Sequence, residues 1–315
     1  MQIVITDGYT LNPGDQSWKA FDHLGEVIYY DRTASNEILS RCSNASIIIT
    51  NKTPITADVI NAAKDLQLIA VTATGYNIID IAAAKQRKIP VCNVPAYGTH
   101  SVAQHAIALL LELTNHVGVN AASVQNGDWV GSADWCYTKL PVMELKDKTI
   151  GIIGLGKIGT QVATIATAFG MKVIYNRGKN AMKEWKEVSM HQLFMQADFI
   201  SVHCPLTADN NAFINKELLE LMKPTSYLIN TSRGQLIAEK DLADALQKNK
   251  LAGAALDVLS VEPPPAGNPL IGLPNCIITP HNAWISFEAR SCIMQVTLEN
   301  VKAFLSGKSK NMVNK

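Results

Sequence analysis

Short apolar runs alternate with longer stretches of helical spacing along almost the whole chain. "QIVIT", "EVIYY", "SIIIT" and "LQLIAV" are rich in β-branched residues and are separated by polar or helical segments such as "TADVINAAKDL". Runs of that length read as strands, and strands joined by helices read as βαβ units, which build a mostly parallel sheet with helices on both faces. "IPVCNVP" closes this first series at about Pro95.

One long helix pattern follows, "SVAQHAIALLLELTNHVGVNAASVQNG", and then an irregular stretch rich in aromatics and turn formers, "DWVGSADWCYTKLPVMELK". A second βαβ series opens at "KTIGIIGLGKIGTQVATIATAFGMKVIYN" and runs through "DFISVHC", "SYLINTSRG", "LAGAALDVL" and "NCIITPHN". The final segment, "WISFEARSCIMQVTLENVKAFLSG", reads as a single amphipathic helix. The pattern predicts an α/β protein of two doubly wound parallel-sheet domains. The last helix is expected to return to the first domain, giving residues 1–98 with 284–315 as one domain and 99–283 as the other. No fixed-period repeat is visible, and low complexity is confined to "EPPPAG".

Composition narrows the class without changing that picture. At 315 residues the chain is long for one core and sufficient for two. Apolar residues make up 47 % and charged ones 17 %, and a net charge of +1 offers no field for nucleic acid or an anionic membrane. The longest apolar run, at residues 106–111, is far too short to span a bilayer. The opening "MQIVITDGYT" has no basic segment and no small-residue cleavage site, so it reads as the first strand of the fold. Six scattered cysteines without a CxxC pair predict reduced, mostly buried thiols in a cytoplasmic protein. No HExxH or Cys/His cluster points to a metal.

Chemistry enters with "TIGIIGLGKIGTQVATIA", which places Gly154, Gly156 and Gly159 in a GxGxxG directly after an apolar strand and directly before a helix. Gly154 allows the tight turn, Gly156 lets backbone approach a pyrophosphate, and Gly159 lets the helix pack close to the strand. The helix start, at Lys157 and Ile158, offers free N–H groups and a partial positive charge to the phosphates. Glycine-rich turns also serve packing, so it is the strand–loop–helix context that favours a Rossmann cofactor domain.

The next strand, in "KVIYNRGKN", turns polar at Asn176 and Arg177, where such folds often carry Asp or Glu. A carboxylate there bonds the ribose hydroxyls of NAD and repels the 2′-phosphate of NADP. Unit charges 4 Å apart interact by about 4 kcal/mol at an effective dielectric of 20. Asn176 removes that repulsion and offers an amide donor, while Arg177, with Lys179 as a weaker second, brings positive charge. The expected cofactor is NAD(H) or NADP(H), leaning to NADP(H).

Ligands of an open parallel sheet sit beyond the carboxyl ends of its strands. There the second series carries His203, Cys204 and Pro205 after "FISV"; Thr231, Ser232 and Arg233 after "YLIN"; Asp257, with Glu262 further on, after "GAAL"; and Pro280 and His281 after "CIIT". Singly, each has a plain alternative: a satisfied core or surface histidine, an arginine capping a helix, an aspartate closing a turn, a solvated glutamate. Together, beside a pyrophosphate loop, they suit reduction of a 2-oxo acid. Arg holds the carboxylate and carbonyl oxygen. His protonates the oxygen as hydride arrives, and a carboxylate partner, here Glu262, orients the imidazole.

"GLGKIG", "NTSRG", "ALDV", the Glu of "VEP" and "TPHNAW" resemble the motif set of the D-isomer-specific 2-hydroxyacid dehydrogenases. The order of strands and helices agrees over essentially the whole chain. The resemblance implies a Rossmann cofactor domain beside a flavodoxin-like substrate domain, with the active site in the cleft between them. It implies Arg233 as substrate anchor, His281 as acid/base, Glu262 as its partner, Asp257 at the nicotinamide end, and Thr231, Cys204 and Pro205 lining the cofactor pocket. It further implies a homodimer built largely on the long helix after Pro95.

"TDGYTLNPGD", "TNKTPIT" and "TATGYNIID" are most similar to the glycerate dehydrogenase (hydroxypyruvate reductase) branch. By that likeness Lys52 and the backbone of Thr74, Gly75 and Tyr76 hold the substrate carboxylate, though Lys52 also reads as a solvated loop lysine. Trp135 stands where the branch has a tryptophan reaching into the partner subunit's site, or it packs the dimer. Gln104 replaces an acid common in the family after "SVA". Rival readings are a dehydrogenase of this family for another 2-oxo acid and a nicotinamide-sensing corepressor of the same fold. The corepressors carry extended tails, whereas this chain starts within two residues of its first strand and ends at "SKNMVNK". Formate dehydrogenase has Gln where Glu262 stands.

Overall fold

Strands buried on both faces must be apolar at successive positions, and the reason is visible in how their side chains divide. In the computed structural model, which describes residues 1–178 and 184–314, the chain separates into two compact units: Met1–Gly98 with Ile285–Lys315, and Thr99–Trp284. The first holds β1 (Gln2–Ile5), β2 (Glu26–Tyr29), β3 (Ile47–Thr50), β4 (Leu68–Val71) and β5 (Val91–Cys92), all parallel, in the order β2-β1-β3-β4-β5. Val4, Ile48, Ile69 and Val71 feed one core with Val59, Ile60 and Ala84. Ile3, Ile5, Ile47, Ile49 and Leu68 feed the other with Leu298 and Val301 of the last helix.

That helix, Phe287–Leu305, starts where Ser286 accepts the N–H of Ala289. Its buried Arg290 grips Asp15 through both guanidinium nitrogens at 2.7 and 2.5 Å, so the segment is tied to the first unit by charge as well as by apolar packing. Beyond it the chain returns along the open edge of β5. Asn93 donates to the Asn311 carbonyl and Val313 to the Val91 carbonyl, which covers edge groups that would otherwise be unpaired.

The second unit holds β6 (Thr149–Leu155), β7 (Lys172–Gly178), β8 (Lys186–Glu187), β9 (Phe199–Val202), β10 (Tyr227–Asn230), β11 (Gly253–Leu256) and β12 (Cys276–Ile278). All are parallel, in the order β12-β11-β10-β9-β6-β7-β8, so the winding reverses between β6 and β9. Alternate residues again serve opposite layers: Leu228 and Ala254 one core, Ile229 and Ala255 the other.

Three expectations are corrected. The long helix pattern is two helices, Thr99–Asn115 and Val117–Gln125, bent by 61°. His116 takes a left-handed conformation (φ +50°), which His tolerates better than most side chains, and the Glu112 carboxylate accepts the Gly118 N–H at 3.1 Å in place of a carbonyl of the preceding turn. β7 does not end at Asn176: it stays paired with β6 as far as Gly178, because backbone register ignores the polarity of the side chains. The thiols are less uniformly buried than their scatter suggested. Cys42, Cys92 and Cys204 are buried and Cys276 partly so, but Cys136 and Cys292 are exposed.

Candidate active site

The glycine loop leaving β6 is built by close contact on two sides and space on the third. Gly154 has φ +96°, and a Cβ there would lie 2.7 Å from the Cys204 N that follows β9. At Gly159 a Cβ would lie 2.2 Å from the Gly154 carbonyl oxygen, so the helix Lys157–Ala168 can approach only because that position has no side chain. Around Gly156 nothing lies within 4 Å of the Cβ position. The N–H groups of the first helical turn, at Lys157, Ile158 and Gly159, have no intrahelical acceptors and no capping side chain at Gly156. Thr231, at the end of β10, buries a hydroxyl oxygen without a protein partner. An open glycine edge at the β6/β9 switch point, a free helix start and an orphaned hydroxyl fit a dinucleotide.

On β7 the half-buried Asn176 donates one amide N–H to the Val188 carbonyl at 2.7 Å, so part of the donor capacity read from its sequence position is already committed. Arg177 continues the strand. Its side chain, and Lys179, lie outside the described residues.

Arg233 is presented by a turn that Asn230 locks. Asn230 is fully buried, accepts the Ser232 N–H at 2.9 Å and donates to the Arg233 carbonyl at 2.9 Å, while the Ser232 hydroxyl donates to the Val202 carbonyl at 2.6 Å. The Arg233 guanidinium is partly buried and bonds the Ser232 carbonyl at 2.7 Å, but it forms no ion pair with any described carboxylate. A partly buried cation without a counter-ion is set up for an anion from outside. Gly234 then packs so tightly that a Cβ would lie 1.9 Å from the Leu259 carbonyl carbon, pressing the Arg233 turn onto the segment that leads to Glu262.

Glu262 divides its oxygens. Oε1 accepts the Leu259 N–H at 2.9 Å, and Oε2 lies 2.5 Å from His281 Nδ1. His281 itself sits at φ +51°, its N–H on the Asp257 carbonyl at 2.8 Å. The Asp257 side chain, 1 % exposed, accepts the Thr279 hydroxyl at 2.6 Å and the N–H groups of Asn282 and Ala283 at 2.9 Å each. Burial raises its pKa, but the bonds from His105, Thr279, Ala283 and Asn282 outweigh that and leave it below the ordinary carboxylate value. Asp257 therefore grips the loop that carries His281, the turn-closing alternative open to it in the sequence.

His105, on the helix Thr99–Asn115, joins this network with Nε2 3.1 Å from the Thr279 hydroxyl. Only its polarity at the flank of an apolar helix face could have flagged it. His203 bonds the Ser201 hydroxyl at 2.8 Å, and burial pushes its pKa down to about 4, so it stands neutral at neutral pH. Cys204 is buried and Pro205 exposed at the same strand end.

Lys52, Thr74, Gly75 and Tyr76 lie in the first unit, beyond the carboxyl ends of β3 and β4. Lys52 is exposed between the buried Asn51 and Thr53. The Thr74 hydroxyl donates to the Val94 carbonyl at 2.7 Å, and its carbonyl accepts from Asn93 at 2.8 Å, so that backbone is held from both sides. Trp135 is 90 % exposed in the stretch after Gln125. Its carbonyl accepts the Trp129 indole N–H at 3.1 Å, and Asp128, Ser123, Tyr137 and Lys139 bond one another to hold the stretch together.

The family model described as D-isomer specific 2-hydroxyacid dehydrogenase, NAD binding domain, matches residues 107–283. The hydroxypyruvate reductase of Blautia hydrogenotrophica is 46 % identical over 100 % of both chains. The glycerate dehydrogenase of Methylorubrum extorquens is 38 % identical over 99 % of this chain and 98 % of its own. Among solved structures, an acyclic imino acid reductase in complex with NADPH and D-Arg superposes with a TM-score of 0.86 at 34 % identity, covering 99 % of this chain and 100 % of that one.

Proposed function

This chain belongs to the D-isomer specific 2-hydroxyacid dehydrogenases, a nicotinamide-dependent oxidoreductase family, and within it we propose reduction of hydroxypyruvate and glyoxylate to their D-2-hydroxy acids. The observation that carries the reading is an Arg233 with no ion pair to any described carboxylate, on a turn that Gly234 packs against Leu259, whose N–H also holds the carboxylate of the His281–Glu262 pair. The names of the two full-length relatives support the substrate class.

Gly154, Gly156, Lys157, Ile158, Gly159 and Thr231 would hold a nicotinamide dinucleotide, which would supply the hydride. The remaining work falls to this chain's side chains. Arg233 holds the 2-oxo acid by its carboxylate and carbonyl oxygen, where a planar, permanently charged fork suits both. Glu262 holds the proton on His281 Nδ1, which turns Nε2 to the substrate and stabilises the imidazolium. His281 Nε2 then delivers a proton to the carbonyl oxygen as it becomes an alkoxide. Asp257 and Thr279 keep the imidazole on target. Lys52 and the backbone of Thr74, Gly75 and Tyr76 are assigned to the substrate carboxylate.

For cofactor choice, Asn176 in place of a carboxylate removes the repulsion that excludes a 2′-phosphate, which supports use of both dinucleotides with a lean to NADPH. A homodimer fits the exposed apolar side chains after Gln125, where Trp129 is 51 %, Val130 93 % and Trp135 90 % exposed. Six cysteines, none of them in a disulfide, fit the cytoplasm.

Steady-state kinetics with a panel of 2-oxo acids and both reduced nicotinamides tests the assignment. Hydroxypyruvate and glyoxylate should give the highest kcat/KM. A value for pyruvate equal to or above that for hydroxypyruvate overturns it.

A further inference from the structure

In the order β2-β1-β3-β4-β5 the winding reverses between β1 and β3, and an open α/β sheet leaves a ligand crevice beyond the carboxyl ends at such a point. One buried side chain bridges it. Asp7, two residues past the end of β1 and 6 % exposed, accepts the N–H groups of Asn51 at 2.8 Å, Lys52 at 2.5 Å and Thr53 at 2.9 Å, together with the Thr6 hydroxyl at 3.1 Å. Three successive N–H groups converging on one point form an anion nest, and here the anion is the chain's own carboxylate. No ion pair joins Asp7 to any described cation, so the backbone amides are what make its burial tolerable.

The same turn is closed twice more. The Thr50 hydroxyl donates to the Thr53 carbonyl at 2.8 Å, and the Asn51 amide donates to the Thr72 carbonyl at 2.8 Å, at the end of β4. Side chains thus tie together three neighbouring strand ends, those of β1, β3 and β4. Asn51 and Thr53 are drawn inward, and Lys52 is the residue of the turn left facing out.

We infer that Asp7 is a positioning residue for substrate binding: its carboxylate holds residues 51–53 in the conformation that presents Lys52 at the β1/β3 switch point, and so sets affinity for the carboxylate of the 2-oxo acid. This rests on the assignment of Lys52 above. Asp7→Asn preserves size but replaces an acceptor oxygen with an N–H donor facing other donors, so the nest cannot stay satisfied. A purely stabilising role would lower the unfolding temperature and leave KM alone.

The test is steady-state kinetics of Asp7→Asn, Lys52→Met and the double variant, with the preferred 2-oxo acid of the panel, well below their unfolding temperatures. Asp7→Asn should raise KM for the 2-oxo acid by roughly tenfold or more, with kcat and the nicotinamide KM within about threefold of wild type. The double variant should match Lys52→Met, because both changes remove one interaction. An Asp7→Asn KM within about twofold of wild type, or effects that multiply in the double variant, overturns the inference. If Lys52→Met leaves KM unchanged, the Lys52 assignment fails and takes the inference with it, whereas a raised KM for Lys52→Met alone isolates the failure to Asp7. Should Asp7→Asn not fold, Thr50→Val loosens the same turn with Asp7 in place, and an unchanged KM there also overturns it.

Discussion

His281 Nδ1 lies 2.5 Å from Glu262 Oε2, and the other oxygen of that carboxylate is held by the Leu259 N–H. The imidazole is therefore oriented by a group that is itself fixed to the backbone, which suits the proton-donor role proposed for its other ring nitrogen. His281→Ala should lower kcat by roughly 10²-fold or more, the usual contribution of a positioned proton donor. Glu262→Gln should keep measurable activity but lower kcat by roughly tenfold, because the amide no longer fixes the orientation of the imidazole that donates the proton. A kcat within about twofold of wild type removes Glu262 from this role.

Gly234→Ala tests how the Arg233 turn is held against the Glu262 segment. The added methyl would meet Leu259 backbone at 1.9 Å, which cannot yield as a flexible side chain would. A destabilisation of about 3 kcal/mol or more is expected in urea unfolding, in the range reserved for overpacking in a core. At temperatures where the variant is still folded, kcat/KM should fall at least about tenfold, since the turn and the segment are forced apart. Wild-type stability and kinetics in this variant would show that the contact is slack.

At the cofactor end, Asn176→Asp should swing preference from NADPH towards NADH by restoring a carboxylate on β7. The unsubstituted protein should use both reduced nicotinamides. Comparing kcat/KM for each decides this, and a tenfold advantage for NADH in the wild type would contradict the proposed lean.

His203 predicts a pH dependence of stability. Burial takes its pKa from 6.5 to about 4 in the folded chain. Between those values the unfolded chain binds a proton that the folded one does not, so stability falls as pH drops from about 6.5 and levels off below about 4, by at most roughly 3 kcal/mol. His203→Gln keeps a partner for the Ser201 hydroxyl but cannot titrate. Its unfolding temperature should therefore lose less on going from pH 7 to pH 4, and equal losses in both proteins would falsify the assignment.

Much of the fold and part of the site could be read from the chain alone, because the signals concerned are local. A double-faced strand must be apolar at successive positions, a GxGxxG must follow a strand and open a helix, and parallel strands must place their carboxyl ends on one edge. Those rules brought Arg233, Asp257, Glu262 and His281 to one edge before any coordinates. What they could not supply was the partner of each polar group. Asp257 gripping Thr279, Asn282 and Ala283, His105 reaching Thr279 and Asp7 filling the turn at Lys52 all join residues far apart in sequence. Hydrophobic period reports which face is buried, whereas a buried donor or acceptor takes whichever partner packing brings within reach. The same distinction explains the helix that breaks at His116 and the strand that outruns its apolar residues to Gly178. In both, the backbone followed hydrogen bonds that hydrophobic period does not report, to the nearby Glu112 carboxylate in one case and to β6 in the other.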